Sequence, residues 1–116
     1  MGRLTTHVLD TAQGCPASGV GVTLFSLQPE RRLIAEASTN ADGRLDAPIL
    51  DSDVFAPGVY ELVFQAGDYF RVMLDNFPDL LFVDEVVLRF GIAEADQHYH
   101  VPLLVSPWSY STYRGS

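Results

Sequence analysis

The chain has 116 residues, long enough to bury a core without disulfides or a metal. Its apolar content of 47% speaks against intrinsic disorder, and no apolar run approaches the roughly 18 residues of a membrane span. The net charge of −8 argues against nucleic acid and anionic membrane as partners, since both must be met by cations.

All seven basic residues are arginine, which removes Schiff-base chemistry and a lysine general base. Any side-chain cation in a site is then a permanently charged, planar donor fork. Cys15 is the single cysteine, so neither an intrachain disulfide nor a thiolate zinc cage can form. The opening residues carry no apolar signal region and "RGS" is not a peroxisomal address, so a cytoplasmic protein is expected. Length and the lack of repeats or charge blocks predict a single domain over residues 1–116.

Short strands broken by turn signals follow one another along the chain. "RLTTHVLD" is β-branched and alternating, "GCPASGV" reads as a loop, and "VTLFSL" and "LIAEAST" flank a turn at "QPERR". "NADG" is a strong turn signal, followed by a short strand in "RLDAPIL" and a loop in "DSDVFAPG". "GVYELVF" alternates Val59, Glu61 and Val63 against Tyr60, Leu62 and Phe64. In "AGDYFRVMLDNFPD", Asp68 is placed to cap a short helix carrying Tyr69, Phe70, Met73 and Leu74, with Pro78 closing it. Strands return in "LLFVDEVVLRFGI", "HYHVPLLVS" and "SYSTYR". About eight strands with one short helix and no βαβ alternation predict an all-β, two-sheet antiparallel sandwich; a small barrel is the alternative.

The histidines are the residues with acid–base capacity near neutral pH. Period two places Thr5, His7 and Leu9 on one strand face, and His98, His100 and Pro102 on one face of another. Pro102 cannot donate to a ladder, so its strand is expected at an edge or with a bulge. A strand histidine is ordinarily a polar surface group or a satisfied core group. "HYH" also permits an ion shared by two imidazoles, with His7 or a carboxylate as third ligand, but this is a weak signal. Arg44 after the turn and Arg114 near the end are either solvated or forks for a planar, oxygen-bearing substrate. A serine nucleophile is unsupported, because no G-x-S-x-G elbow occurs.

Together, "THVLD" with "G.PA" near the start, "NADGR", and "HYHVPLLVSPWSYSTYRGS" at the end resemble the transthyretin-related family, in particular its 5-hydroxyisourate hydrolases. "GVYELVFQAGDYF" extends the resemblance to nearly the whole chain. It implies a transthyretin-like eight-stranded sandwich and a homotetramer whose active sites lie at the dimer–dimer interface. It further implies cofactor-free hydrolysis of a small-molecule substrate, 5-hydroxyisourate, to 2-oxo-4-hydroxy-4-carboxy-5-ureidoimidazoline in urate degradation. The catalytic set carried over is His7, Arg44 and His100, without a metal, and the substrate-binding set is Tyr113, Arg114, Gly115 and Ser116. His98 falls outside the matched set, as a neighbour that could act through His100. Transthyretin shares the "SPxSYST" run but lacks the site histidines and the "YRGS" ending. A non-catalytic small-ligand binding or transport protein is therefore the alternative function. A last strand running close to the final residues is expected to make them a wall of the site.

Overall fold

The computed structural model describes residues 2–115. Two sheets face each other. The first has the order β2-β1-β8-β9, with β5 also paired to β1, and the second has the order β4-β3-β6-β7. In chain order the strands are β1 (Arg3–Asp10), β2 (Cys15–Pro16), β3 (Gly21–Ser26), β4 (Arg32–Ser38), β5 (Leu50–Asp51), β6 (Gly58–Gln65), β7 (Glu85–Ile92), β8 (His98–Val105) and β9 (Tyr110–Thr112). One 3₁₀ turn spans Ser52–Val54 and one helix, α1, spans Ala66–Met73. None of the described helices is long and apolar enough to cross a membrane.

The predicted sandwich is therefore present, with several differences. The sheets are not purely antiparallel: β1 and β8 run parallel over their whole length, from Arg3 beside His98 to Asp10 beside Val105. Nor is β8 an edge strand, because β1 flanks it on one side and β9 on the other. The missing N–H of Pro102 is accommodated by a local opening. The β9 ladder stops at the Leu103–Thr112 pair and contact resumes only at the His100–Gly115 bridge, so the last strand ends at Thr112. The strand predicted in "RLDAPIL" shrinks to Leu50–Asp51, with Arg44 as an isolated bridge to His7, while the "GCPASGV" loop contains the short β2.

Asp68 lies within the first turn of α1, not at its cap; Gln65 is the N-cap, and no side chain caps it. Pro78 does not close the helix either. Leu74 is already extended, and Asn76 turns the chain with φ of 66°. The helix follows β6 directly and buries Tyr69 and Phe70.

Alternation decides the core. On β1, Leu4, Thr6, Val8 and Asp10 are buried, while Thr5, His7 and Leu9 lie half-exposed on the opposite face. Leu4, Leu24, Leu62, Phe64, Phe70 and Leu103 are among the fully buried side chains between the sheets. Asp10 is the unexpected member, 1% exposed. Its Oδ1 accepts the Ala12 and Gln13 amides at 2.9 Å each, and its Oδ2 accepts Gln13 Nε2 at 2.6 Å and the Tyr69 hydroxyl at 2.8 Å. Four donors compensate the buried carboxylate. In return, burial first, then the hydrogen bond to Asp10 and the Asp10 charge, push the Tyr69 phenol far above its ordinary range. On β6, Glu61 is likewise buried, with Arg89 donating Nε and Nη2 to one carboxylate oxygen at 3.0 and 2.9 Å.

Candidate active site

The site face is the half-exposed side of the β1–β8 pair. Parallel register sets Thr5 beside His100 and Arg3 beside His98, so period two brings these side chains to one surface. Thr5 Oγ1 lies 2.6 Å from His98 Nε2 and 2.8 Å from His100 Nδ1. The two imidazole rings stand 6.1 Å apart, centre to centre, with the hydroxyl between them.

The "NADGR" turn supplies the opposing cation. Asn40 Oδ1 accepts the Asp42 and Arg44 amides at 2.9 and 3.2 Å, and Gly43 N donates to Asn40 O at 2.9 Å. Val8 N donates to Gly43 O at 2.7 Å, which docks the turn on β1. Gly43 is required there: φ is +76°, and a side chain would strike the Val8 carbonyl. The docked turn pairs Arg44 with His7 and leaves Arg44 over the site face. His7 Nε2 lies 2.8 Å from Asp42 O. A carbonyl only accepts, so Nε2 carries the proton, and Nδ1 holds the lone pair when the ring is neutral.

A cleft of about 420 Å³ lies at this face, lined by Arg3, Thr5, Arg44, Asp46, His98 and His100 among others. It unites two of the three expected catalytic residues, Arg44 and His100. His7 is the strand neighbour of Arg44 but does not line the cleft. His100 is held below the ordinary imidazole range, first by burial, then by Arg44, His98 and His7. His98 is lowered too, first by burial, then by Arg3 and Arg114. Both rings are thus biased toward neutrality, the form a base needs.

The terminal residues are divided. Gly115 N donates to His100 O at 2.7 Å and His100 N donates to Gly115 O at 3.3 Å, which closes the chain end against the histidine. Arg114 turns away from the cleft. Its Nη2 donates to Gln97 Oε1 at 3.0 Å and His98 O at 3.3 Å, and its guanidinium sits 4.3 Å above the Tyr99 ring. Tyr113 and Arg114 line a separate cavity of about 440 Å³ against β7. Ser116 lies outside the described residues.

Sequence reasoning missed Thr5, Arg3 and the segment 45–48 as cleft lining, and placed His98 only as a neighbour. "HYH" was the available signal for His98. For Thr5 only its shared face with His7 pointed there. Among the described residues, no three His, Cys, Asp or Glu side chains converge as a ligand set for a metal.

A sandwich with a histidine–arginine cleft on its β1–β8 face defines the class, and comparison with known proteins agrees. The HIUase/Transthyretin family model matches residues 4–115, and the chain belongs to that family. It is 60% identical over 117 residues to the 5-hydroxyisourate hydrolase of Pseudomonas aeruginosa, covering 100% of this chain and 93% of that one. Among solved structures, (S)-allantoin synthase superposes with a TM-score of 0.94 at 50% identity over 99% of this chain, which spans 44% of that longer protein. Sea bream transthyretin in complex with thyroxine superposes at 0.86 with 26% identity, covering 97% of this chain and 94% of that one.

Proposed function

We propose that this chain hydrolyses 5-hydroxyisourate, in urate degradation, with His7, Arg44 and His100 as catalytic residues. The observation that carries the assignment is the cleft itself. An imidazole held neutral by burial and a guanidinium share one lining, in a chain far closer in sequence to a hydrolase than to the hormone-binding relative.

Water attacks a lactam carbonyl carbon and an imidazole takes its proton. The new C–O bond places negative charge on the carbonyl oxygen, which the Arg44 guanidinium meets with two donors. Collapse breaks the C–N bond, and the imidazolium returns the proton to the departing nitrogen. His100 lines the cleft and serves as this base; His7, bridged to Arg44 and held through Nε2 by the Asp42 carbonyl, supports the Arg44 side of the cleft. Each step uses side chains of this chain, with no cofactor. Gly115 closes against His100. Tyr113, Arg114 and Ser116 contribute to substrate binding in the assembled protein.

That assembly is a homotetramer with sites at the dimer–dimer interface. Its support is exposed apolar surface: Leu80, Phe82 and Trp108 are 90%, 76% and 63% exposed, and the Phe82 and Trp108 rings stack at 6.2 Å. Light scattering on the purified protein tests it, and a monomeric mass overturns it.

The test of the reaction is direct. 5-Hydroxyisourate is generated fresh from urate with urate oxidase, and its ultraviolet decay is followed with and without the protein. Accelerated decay, lost on His100→Gln, supports the assignment. Decay at the spontaneous rate from folded protein overturns it in favour of a ligand-binding sandwich.

A further inference from the structure

Thr5 has one hydroxyl proton and two ring nitrogens within hydrogen-bond distance, His98 Nε2 at 2.6 Å and His100 Nδ1 at 2.8 Å. It can donate to only one of them. At least one of the two contacts is therefore made by a ring N–H donating to Oγ1. The protonation sites of the two histidines are therefore not independent, because Thr5 links them.

We propose that Thr5 is a positioning residue that fixes the tautomer of His100, and that His98 is the acceptor that makes this possible. In the resting state Thr5 donates to His98 Nε2 and accepts from His100 Nδ1–H. This direction suits the lengths: 2.8 Å lies within the usual N–H···O range, and 2.6 Å lies below it. His100 Nε2 then carries the lone pair, and it makes no hydrogen bond among the described residues. The opposite direction would put a proton on Nε2 and leave the ring unable to act as a base.

The link also moves charge. When His100 Nε2 takes a proton from water, its Nδ1 proton can pass to Thr5 Oγ1 while the Thr5 proton passes to His98 Nε2. No atom or charge is gained or lost; the positive charge moves from His100 to His98. The reverse shift restores the resting tautomer once Nε2 gives its proton to the leaving nitrogen.

The charge-moving step rests on the hydrolase reading; the tautomer assignment does not, so the experiment reads the two separately. Thr5→Val keeps the β-branched shape of the strand and removes the hydroxyl, and Thr5→Ser keeps the hydroxyl. Histidine-labelled protein is examined by ¹⁵N NMR without substrate, with signals assigned through His98→Phe and His7→Gln. The wild type is expected to show His100 protonated at Nδ1, Thr5→Val a mixture of tautomers, and Thr5→Ser the wild-type pattern. His98→Phe removes the acceptor, frees Thr5 to donate to His100 Nδ1, and shifts His100 toward the Nε2–H form. In turnover, Thr5→Val is expected to lose kcat at least about tenfold, a part of the range for acid–base catalysis, with KM changed less than about twofold. Thr5→Ser restores it. Unchanged ¹⁵N spectra in Thr5→Val and His98→Phe, or a wild-type kcat in Thr5→Val, overturn the proposal. Tautomer shifts as expected in a protein without turnover support the link and overturn the reaction assignment alone.

Discussion

Gly115 is the position where one methyl group should report on the whole site. A Cβ built there lies 3.1 Å from His100 Cδ2 and 3.3 Å from His100 Cβ. Carbon atoms prefer a separation of about 3.5–4.0 Å, so the Gly115→Ala contact is short by roughly half an ångström. The backbone cannot absorb it freely, because the His100–Gly115 bridge is closed by hydrogen bonds of 2.7 and 3.3 Å. The imidazole is the softer partner, and pushing it away stretches its 2.8 Å contact with Thr5. A misplacement of about 1 Å can cost about a hundredfold in rate, so half of that predicts a loss near tenfold in kcat. The assay is initial-rate decay of freshly made 5-hydroxyisourate, beside a thermal unfolding curve. Full kcat in Gly115→Ala with an unchanged unfolding midpoint would refute the reasoning, since the ring position would then not matter.

Activity should fall on acidification as His100 protonates. Burial and the Arg44 charge hold its pKa below the ordinary imidazole value of about 6.5, so the acid limb of kcat/KM should lie below that value. Arg44→Gln removes one lowering charge and should move the limb to higher pH while reducing kcat; a limb that moves down would contradict the sign. Tyr69→Phe strips one donor from the buried Asp10 carboxylate and should destabilise the fold by about 1–3 kcal/mol, seen as a lower urea midpoint. An unaltered midpoint would show that water replaces the hydroxyl. Dialysis against a chelator should leave turnover unchanged, and loss restored by a divalent ion would point to a metal on His98 and His100.

Much of this architecture is legible in local pattern. Alternation in "RLTTHVLD" places His7 and Thr5 opposite Leu4 and Val8, and "NADGR" announces the turn that carries Arg44. What local pattern does not contain is strand pairing. The Pro102 rule predicts an edge strand or a bulge, because a missing donor is normally left to solvent or to a local irregularity. Here β9 skips that position and resumes at Gly115. The same limit hid Thr5, whose importance arises only when β8 lies parallel beside it. It also concealed the turn of Arg114 onto Tyr99, a contact between a terminal side chain and a ring fifteen positions upstream.

The parallel pairing of β1 with β8 has a consequence for how the protein comes into being. Thr5 and His100 are separated by 95 positions in sequence, and the two strands that carry the site are nearly the first and nearly the last to leave the ribosome. The second sheet, β3, β4, β6 and β7, lies wholly between them and is built from antiparallel neighbours. Such a chain can zip its middle early, but β1 must wait with one edge unpaired until β8 is synthesised. Long-range closures of this kind are slow. Competence is thus conferred by the last strands to be made, and a chain interrupted before His98 would own a sheet and no cleft.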